Sequence, residues 1–268
     1  MRLLLATDGS PQARGAEALA EWLGYKLSAK LLALFVRDVR LVRIPELLDF
    51  GALTIPMPVY REELERALTL KGEAVLERIR KGGAEVGLEV ETLLETGLPH
   101  EVILRHARMA DLVVLGRSGE AHGGSFSGLG STVDRVLRAS PTPVVVAPAE
   151  GVEIREAVLG YNASESAVRA MHTLALLAKP LGLRVRVVSV HEDPVRAGAW
   201  ALEAETYLKD QGVPAEALAF PGDPAEHLLA LQGPSDLLVL GAPVRRLVLG
   251  STAEQVLRHA VGPVLTAR

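Results

Sequence analysis

The sequence predicts an α/β fold built twice in tandem, each copy an open parallel sheet of five strands covered by helices. Three observations carry this. Short apolar runs such as Leu3 to Ala6 alternate with helical spacing such as Ala16, Leu19, Ala20, Leu23 and Leu27, the pattern of βαβ crossover units. Asp111-Leu112-Val113-Val114-Leu115-Gly116 returns as Asp236-Leu237-Leu238-Val239-Leu240-Gly241. Gly130-Ser131-Thr132 with Val136-Leu137-Arg138 returns as Gly250-Ser251-Thr252 with Val256-Leu257-Arg258, and Pro143 to Ala147 as Pro263 to Ala267. Self-similarity of this kind marks an internal duplication. It places one domain at 1–148 and a second at 152–268, with the linker around Ala149 to Val152.

The elements follow in order. Leu3 to Ala6 is a strand that stops at Thr7-Asp8-Gly9-Ser10; Asp8 or Ser10 can cap the next helix, and Pro11 suits its first turn. Lys30 to Val36 is the second strand. Residues 37–60 hold Pro45, Pro56 and Pro58 and show no clean period. They form a long, apolar connection suited to packing over the domain, to a lid or to a subunit contact. Residues 61–81 are an amphipathic helix ended by Gly82-Gly83, and Leu88 to Leu94 is a strand. Gly97-Leu98-Pro99 opens a helix through Met109, and strands at Leu112 to Leu115 and Val144 to Ala147 bracket a helix starting near Ser131. From residue 152 the same succession repeats.

Composition removes whole classes of function. The 268 residues carry a net charge of −4 and no long basic run, so neither nucleic acid nor an anionic membrane is an expected partner. Cysteine is absent, which excludes disulfides, thiolate catalysis and cysteine-bound metals. The first apolar run is too short for a secretory signal and is interrupted by Asp8, and no run of about 18 apolar residues exists. A cytoplasmic protein is expected, and the mean hydropathy of +0.23 fits well-buried strands.

The chemistry concentrates between 111 and 148. An apolar strand stops at Gly116, a loop carries Gly119, Gly123, Gly124, Gly128 and Gly130, and Ser131-Thr132 opens a helix. A strand, flexible loop and helix N-terminus can hold an anion: first-turn N–H groups and the helix dipole favour negative charge, and hydroxyls add donors. Glycines let the backbone approach closely and adopt positive φ. Arg117 and His122 are the nearest loop groups that can offset phosphate charge. Two familiar nucleotide loops are absent. Gly130 is followed by Ser131 where a Walker A loop needs Lys, and T-D-G-S-P-Q stands where a dinucleotide fingerprint would follow the first strand. The other histidines, at 100, 106, 172, 191, 227 and 259, have no paired ligand spacing.

These residues resemble the universal stress proteins in their tandem, two-domain form, and the resemblance runs over the whole chain. Nucleotide-binding members carry G-x2-G-x9-G-[ST] after the fourth strand and an Asp after the first. Here Gly116, Gly119 and Gly130-Ser131 match, with ten residues rather than nine between Gly119 and Gly130, and Asp8 stands in the expected place. The resemblance implies flavodoxin-like or adenine-nucleotide-hydrolase-like open parallel five-stranded sheets. It implies ATP, with Mg²⁺ as its counter-ion, bound at the carboxyl ends of the strands. Carried over by position, Ala6, Thr7 and Asp8 would line adenine and ribose, and Val36 would meet adenine. Leu115, Gly116, Ser118 and Gly119, with Arg117 between them, would flank ribose and phosphate. Gly130, Ser131, Thr132 and Val133 would hold the phosphates. It also implies that Val144 to Ala147 and Val264 to Ala267 pair within the chain as a pseudo-dimer, leaving the 39–60 segment for a further homodimer.

The second copy departs from that pattern. Asn162 replaces the Asp, Val244 the second glycine, and only eight residues separate Gly241 from Gly250. Gly250-Ser251-Thr252 remains, so an anion can still bind, but the main nucleotide site is expected in the first copy. The leading expectation is therefore a nucleotide-responsive, ATP-binding stress protein without catalytic residues or a resident metal site. A slow ATPase and a nucleotide-free interaction module are the alternatives; no general base and no phosphate-reaching Lys is evident to favour the enzyme.

Overall fold

The computed structural model describes residues 1–42, 47–49, 54–119, 129–242 and 250–268. The first half contains β1 (Arg2–Thr7), β2 (Lys30–Asp38), the short antiparallel pair β3 (Leu47–Asp49) and β4 (Thr54–Pro56), β5 (Val90–Gly97), β6 (Leu112–Gly116) and β7 (Val144–Ala147). Its helices are α1 (Arg14–Lys26), α2 (Val39–Val42), α3 (Met57–Glu85), α4 (Pro99–Ala107) and α5 (Ser131–Ala139). The second half repeats the plan with β8 (Glu156–Gly160), α6 (Glu165–Leu181), β9 (Arg184–Val190), α7 (Pro194–Asp210), β10 (Ala215–Phe220), α8 (Pro224–Leu231), β11 (Asp236–Gly241), α9 (Ser251–His259) and β12 (Val264–Ala267).

Each half forms a parallel block in the same order, β5-β2-β1-β6-β7 and β10-β9-β8-β11-β12. The blocks join antiparallel through β7 and β12, with Val146 opposite Val264 and Val144 opposite Thr266. The result is one ten-stranded sheet rather than two separate ones, and the intrachain pairing of Val144–Ala147 with Val264–Ala267 is present as expected.

The strands read as nearly continuous apolar runs because helices cover both faces. Leu3, Leu5 and Leu31 point into one core layer with α1 and α3, where Leu19, Leu23 and Ile79 are buried; Leu4, Leu34 and Val113 point into the other with α4 and α5. Each core layer runs across both halves. Truncating one of these leucines to alanine costs about 2–5 kcal/mol.

Helix ends differ from the sequence expectation, and α3 begins at Met57, inside the expected 37–60 connection, rather than at residue 61. α3 does not stop at Gly82-Gly83 but continues to Glu85. Those glycines are packing sites: a Cβ on Gly83 would lie 2.3 Å from Val90 Cγ2. The chain turns at Gly87 instead, at φ +73°, with Leu88 N–H donating to the Gly83 carbonyl at 2.8 Å. Near the start of α1, neither Asp8 nor Ser10 supplies a helix cap. Ser10 precedes a short 3₁₀ turn, Pro11–Ala13, without a side-chain cap bond, and Asp8 instead closes its own turn by accepting from Ser10 N–H at 3.0 Å.

The strand order sets the place of the site. Neighbours β1 and β6 are followed by chains that leave towards opposite faces of the sheet. A crevice opens at their carboxyl ends, where open α/β sheets hold ligands.

Candidate nucleotide site

A cavity occupies that crevice in the first half. Ala6, Thr7 and Asp8 reach it from the end of β1, and Leu34, Phe35, Val36 and Asp38 from β2. Leu115, Gly116, Ser118 and Gly119 reach it from β6 and its following loop; Gly130, Ser131, Thr132 and Val133 come from the start of α5. Of the thirteen residues expected there from the sequence, Arg117 alone is off the wall. The Arg117 Nε and Nη2 are buried without a hydrogen-bond partner, and burial pushes its guanidinium below the ordinary value. His122, Gly123, Gly124, Gly128 and, in the second half, Val244 lie outside the described residues.

Several wall residues carry no sequence motif, among them two cations. Arg40 and Leu41 come from α2, and Leu68 and Lys71 from α3. Burial opposes ionisation of Asp38, but hydrogen bonds from Arg40 outweigh it and hold the carboxyl below its usual range. Arg40 Nη2 lies 2.5 Å from Asp38 Oδ2. Lys71 and Arg40 thus place cationic side chains on the wall, which Arg117 does not reach. Arg40 lies within the irregular 37–60 stretch and Lys71 on the surface of α3, where no spacing marks them.

The glycines act chiefly through close contact. A Cβ on Gly119 would fall 2.5 Å from Asp8 Oδ2; one on Gly116 would fall 3.0 Å from the Gln12 carbonyl oxygen, against the turn that leads into α1. Gly130 has φ −61°, an ordinary extended conformation, and its N–H donates to the Arg117 carbonyl at 3.0 Å. Among the described residues of the site, positive φ occurs at Gly9, φ +69°, whose missing Cβ leaves room for Val75 of α3. Ser131 and Thr132 follow Gly130 in the first turn and do not cap the helix through their side chains.

A second cavity of about 290 Å³ lies at the matching place between β8 and β11. Asn162, Ser164, Ser166, Gly241, Gly250, Ser251 and Thr252 line it, and no Asp, Lys or Arg does so among the described residues. Asn162 accepts from Ser164 N–H at 3.2 Å, and Ser164 caps α6 by accepting from Ala167 N–H at 3.3 Å. Gly250 holds φ +82°. Gly241 repeats the role of Gly116, since a Cβ there would lie 2.4 Å from the Ser166 backbone.

The sequence model of the universal stress protein family matches residues 1–148. The chain belongs to the universal stress protein family. A curated relative, universal stress protein Slr1230 of Synechocystis, is 29% identical over 286 residues, covering 99% of each chain. A universal stress protein of Thermus aquaticus is 31% identical over 146 residues, 54% of this chain and 96% of its own. The fold matches that of a universal stress protein from Archaeoglobus fulgidus with TM-score 0.79 at 20% identity, over 100% of this chain and 98% of the other. Full-length matches to the Synechocystis and Archaeoglobus proteins agree with a tandem universal stress protein. Among the described residues, no helix of this universal stress protein is long and apolar enough to cross a membrane.

Proposed function

We propose that this protein binds ATP in the first-half cavity and responds to its occupancy. One observation carries the reading: an apolar slot, a carboxylate and a helix N-terminus meet at one strand-order reversal. Leu34, Val36, Leu41 and Ile103 offer apolar surface to a base. Asp8 offers oxygens to ribose hydroxyls, a charge-assisted acceptor pair. Gly130, Ser131 and Thr132 present N–H and hydroxyl donors to phosphate, aided by the helix dipole, and Lys71 adds charge. Of the carboxylates on the wall, Asp38 is engaged by Arg40 and Asp8 receives Ser10 N–H. An accompanying Mg²⁺ would therefore be held mainly by phosphate oxygens and water.

The proposal includes a division of labour between two domains, 1–148 and 152–268, with the first as the main nucleotide site. The second cavity has Asn162 in place of Asp8 and lacks cationic wall residues among those described. Calorimetric titration with Mg-ATP tests this. The reading requires binding that Asp8→Ala weakens by tenfold or more, about 1.4 kcal/mol, while Asn162→Ala leaves it intact. No binding at millimolar ATP would end the reading. Product analysis after long incubation separates a binding protein from a slow ATPase.

A further inference from the structure

Behind the first cavity lies a buried carboxylate that packing does not require. Glu17 of α1 is 3% exposed. Its Oε1 accepts from the Thr7 hydroxyl at 2.7 Å. The Thr7 Oγ1 in turn accepts from Gly9 N–H at 3.0 Å. On the far side, Arg78 Nη1 of α3 lies 2.8 Å from Glu17 Oε2, an ion pair without a well-aligned hydrogen bond, and Arg14 Nη1 lies 3.9 Å away.

The direction of each bond matters. A hydroxyl has one proton to give. Glu17 accepts that hydrogen bond, which leaves a Thr7 lone pair turned towards Gly9 N–H. The Gly9 N–H is thereby fixed, and with it the turn that carries Asp8. The same carboxylate holds α3, which seats Val75 against Gly9 and brings Leu68 and Lys71 to the cavity.

The second half shows that the position can be filled without charge. By the offset of 154 residues that relates Asp8 to Asn162, Thr7 corresponds to Tyr161 and Glu17 to Met171. Met171 is buried at 4% exposure in the equivalent helix. Tyr161 ties the strand end to α7 directly, donating to Glu203 Oε1 at 2.5 Å. Burying an ion pair is a poor way to gain stability when an apolar side chain fits.

We propose that Glu17 is a positioning residue: through Thr7 it holds the Asp8–Gly9 turn in its ligand-ready form and couples that turn to α3. The identity of the ligand rests on the nucleotide reading above; the positioning role does not.

The test uses Glu17→Met, the residue of the second half, with Glu17→Gln and Thr7→Val as companions in the full chain. Gly9 amide exchange is followed by NMR, and binding of ATP and of inorganic triphosphate by calorimetry. Glu17→Met and Thr7→Val should each speed Gly9 exchange about tenfold and weaken ATP about tenfold, as expected for loss of one hydrogen-bonded restraint. Inorganic triphosphate meets the Gly130–Thr132 cradle and Lys71 but not the Asp8–Gly9 turn, so it should bind unchanged in Thr7→Val and lose clearly less than ATP in Glu17→Met. Glu17→Gln keeps an acceptor and should recover most of both losses. Unaltered Gly9 exchange in both Glu17→Met and Thr7→Val overturns the proposal, as does an equal loss of ATP and triphosphate, which marks general loosening. If the wild type binds no ATP, the nucleotide reading fails and Gly9 exchange alone decides the role of Glu17.

Discussion

Gly119 lies so close to Asp8 that a Cβ on the glycine would stand 2.5 Å from the carboxylate Oδ2. The loop after β6 therefore rests on the turn after β1, and the two segments nearest the proposed ribose form one surface. The contact reaches only the far end of a side chain, so a substitution displaces the carboxylate more than the backbone. Gly119→Ala should leave the melting temperature within about 2 °C of wild type, the shift of an ordinary surface change. ATP affinity should fall tenfold or more. Unchanged affinity in a calorimetric titration would separate Asp8 from the ligand.

The two glycines that precede α5 and α9 are predicted to fail differently. Gly250 has φ +82° and ψ 142°, a region that strains any other residue by ~1–3 kcal/mol. Gly130 has φ −61°, and a Cβ there would meet Ser118 Cα at 3.3 Å. Gly250→Ala should lower thermal stability more than Gly130→Ala, while Gly130→Ala should harm ATP binding more. Paired thermal melts and titrations check both rankings.

Glu21 has its carboxyl raised above the usual value, first by burial and then by the neighbouring Glu17, with Arg78 acting in the opposite direction. A carboxyl raised on folding disfavours the folded state once the pH exceeds its unfolded value, because the buried group must ionise. Glu21→Gln should therefore raise the midpoint of urea unfolding at pH 7. The gain should shrink as pH falls towards the ordinary carboxyl value of 4.5 and vanish below it, where Glu21 is neutral in both the folded and unfolded chain. A gain that persists at pH 3.5 would point to packing rather than ionisation.

The Tyr161 phenol is raised well above its ordinary value, first by burial and then by its bond to Glu203. Its contribution is complete below the unfolded value near pH 10 and is lost as pH rises beyond it. Tyr161→Phe should cost about 1 kcal/mol at neutral pH. Its stability should then fall less steeply than wild type above pH 10, in denaturant melts at pH 8 to 11.

Much of this architecture was legible because parallel strands buried on both faces leave short, unbroken apolar runs. Leu112 to Leu115 and Leu237 to Leu240 are such runs, and their repetition exposed the duplication. Asp8 and Gly130-Ser131 were legible through spacing. Lys71 and Arg40 were not, since a cation on a helix surface looks the same whether it faces water or a cavity. Glu17 was hidden for a related reason: it directly follows Ala16 of the buried stripe, and no periodicity distinguishes a buried carboxylate from a solvated one. Both close approach and positive φ were expected of the loop glycines, and the described ones show the first. At Gly116, Gly119 and Gly130 the lack of a side chain matters, whereas positive φ is needed at Gly9 and Gly250.

The antiparallel seam between β7 and β12 reverses strand direction halfway across the sheet. The carboxyl edge of one half is therefore continuous with the amino edge of the other, and the two cavities open towards opposite rims. A partner resting on one rim meets one cavity and the backs of the other half's strands. A single polypeptide thus presents two separately addressable ends, which a parallel junction of the same halves would have merged on a single rim.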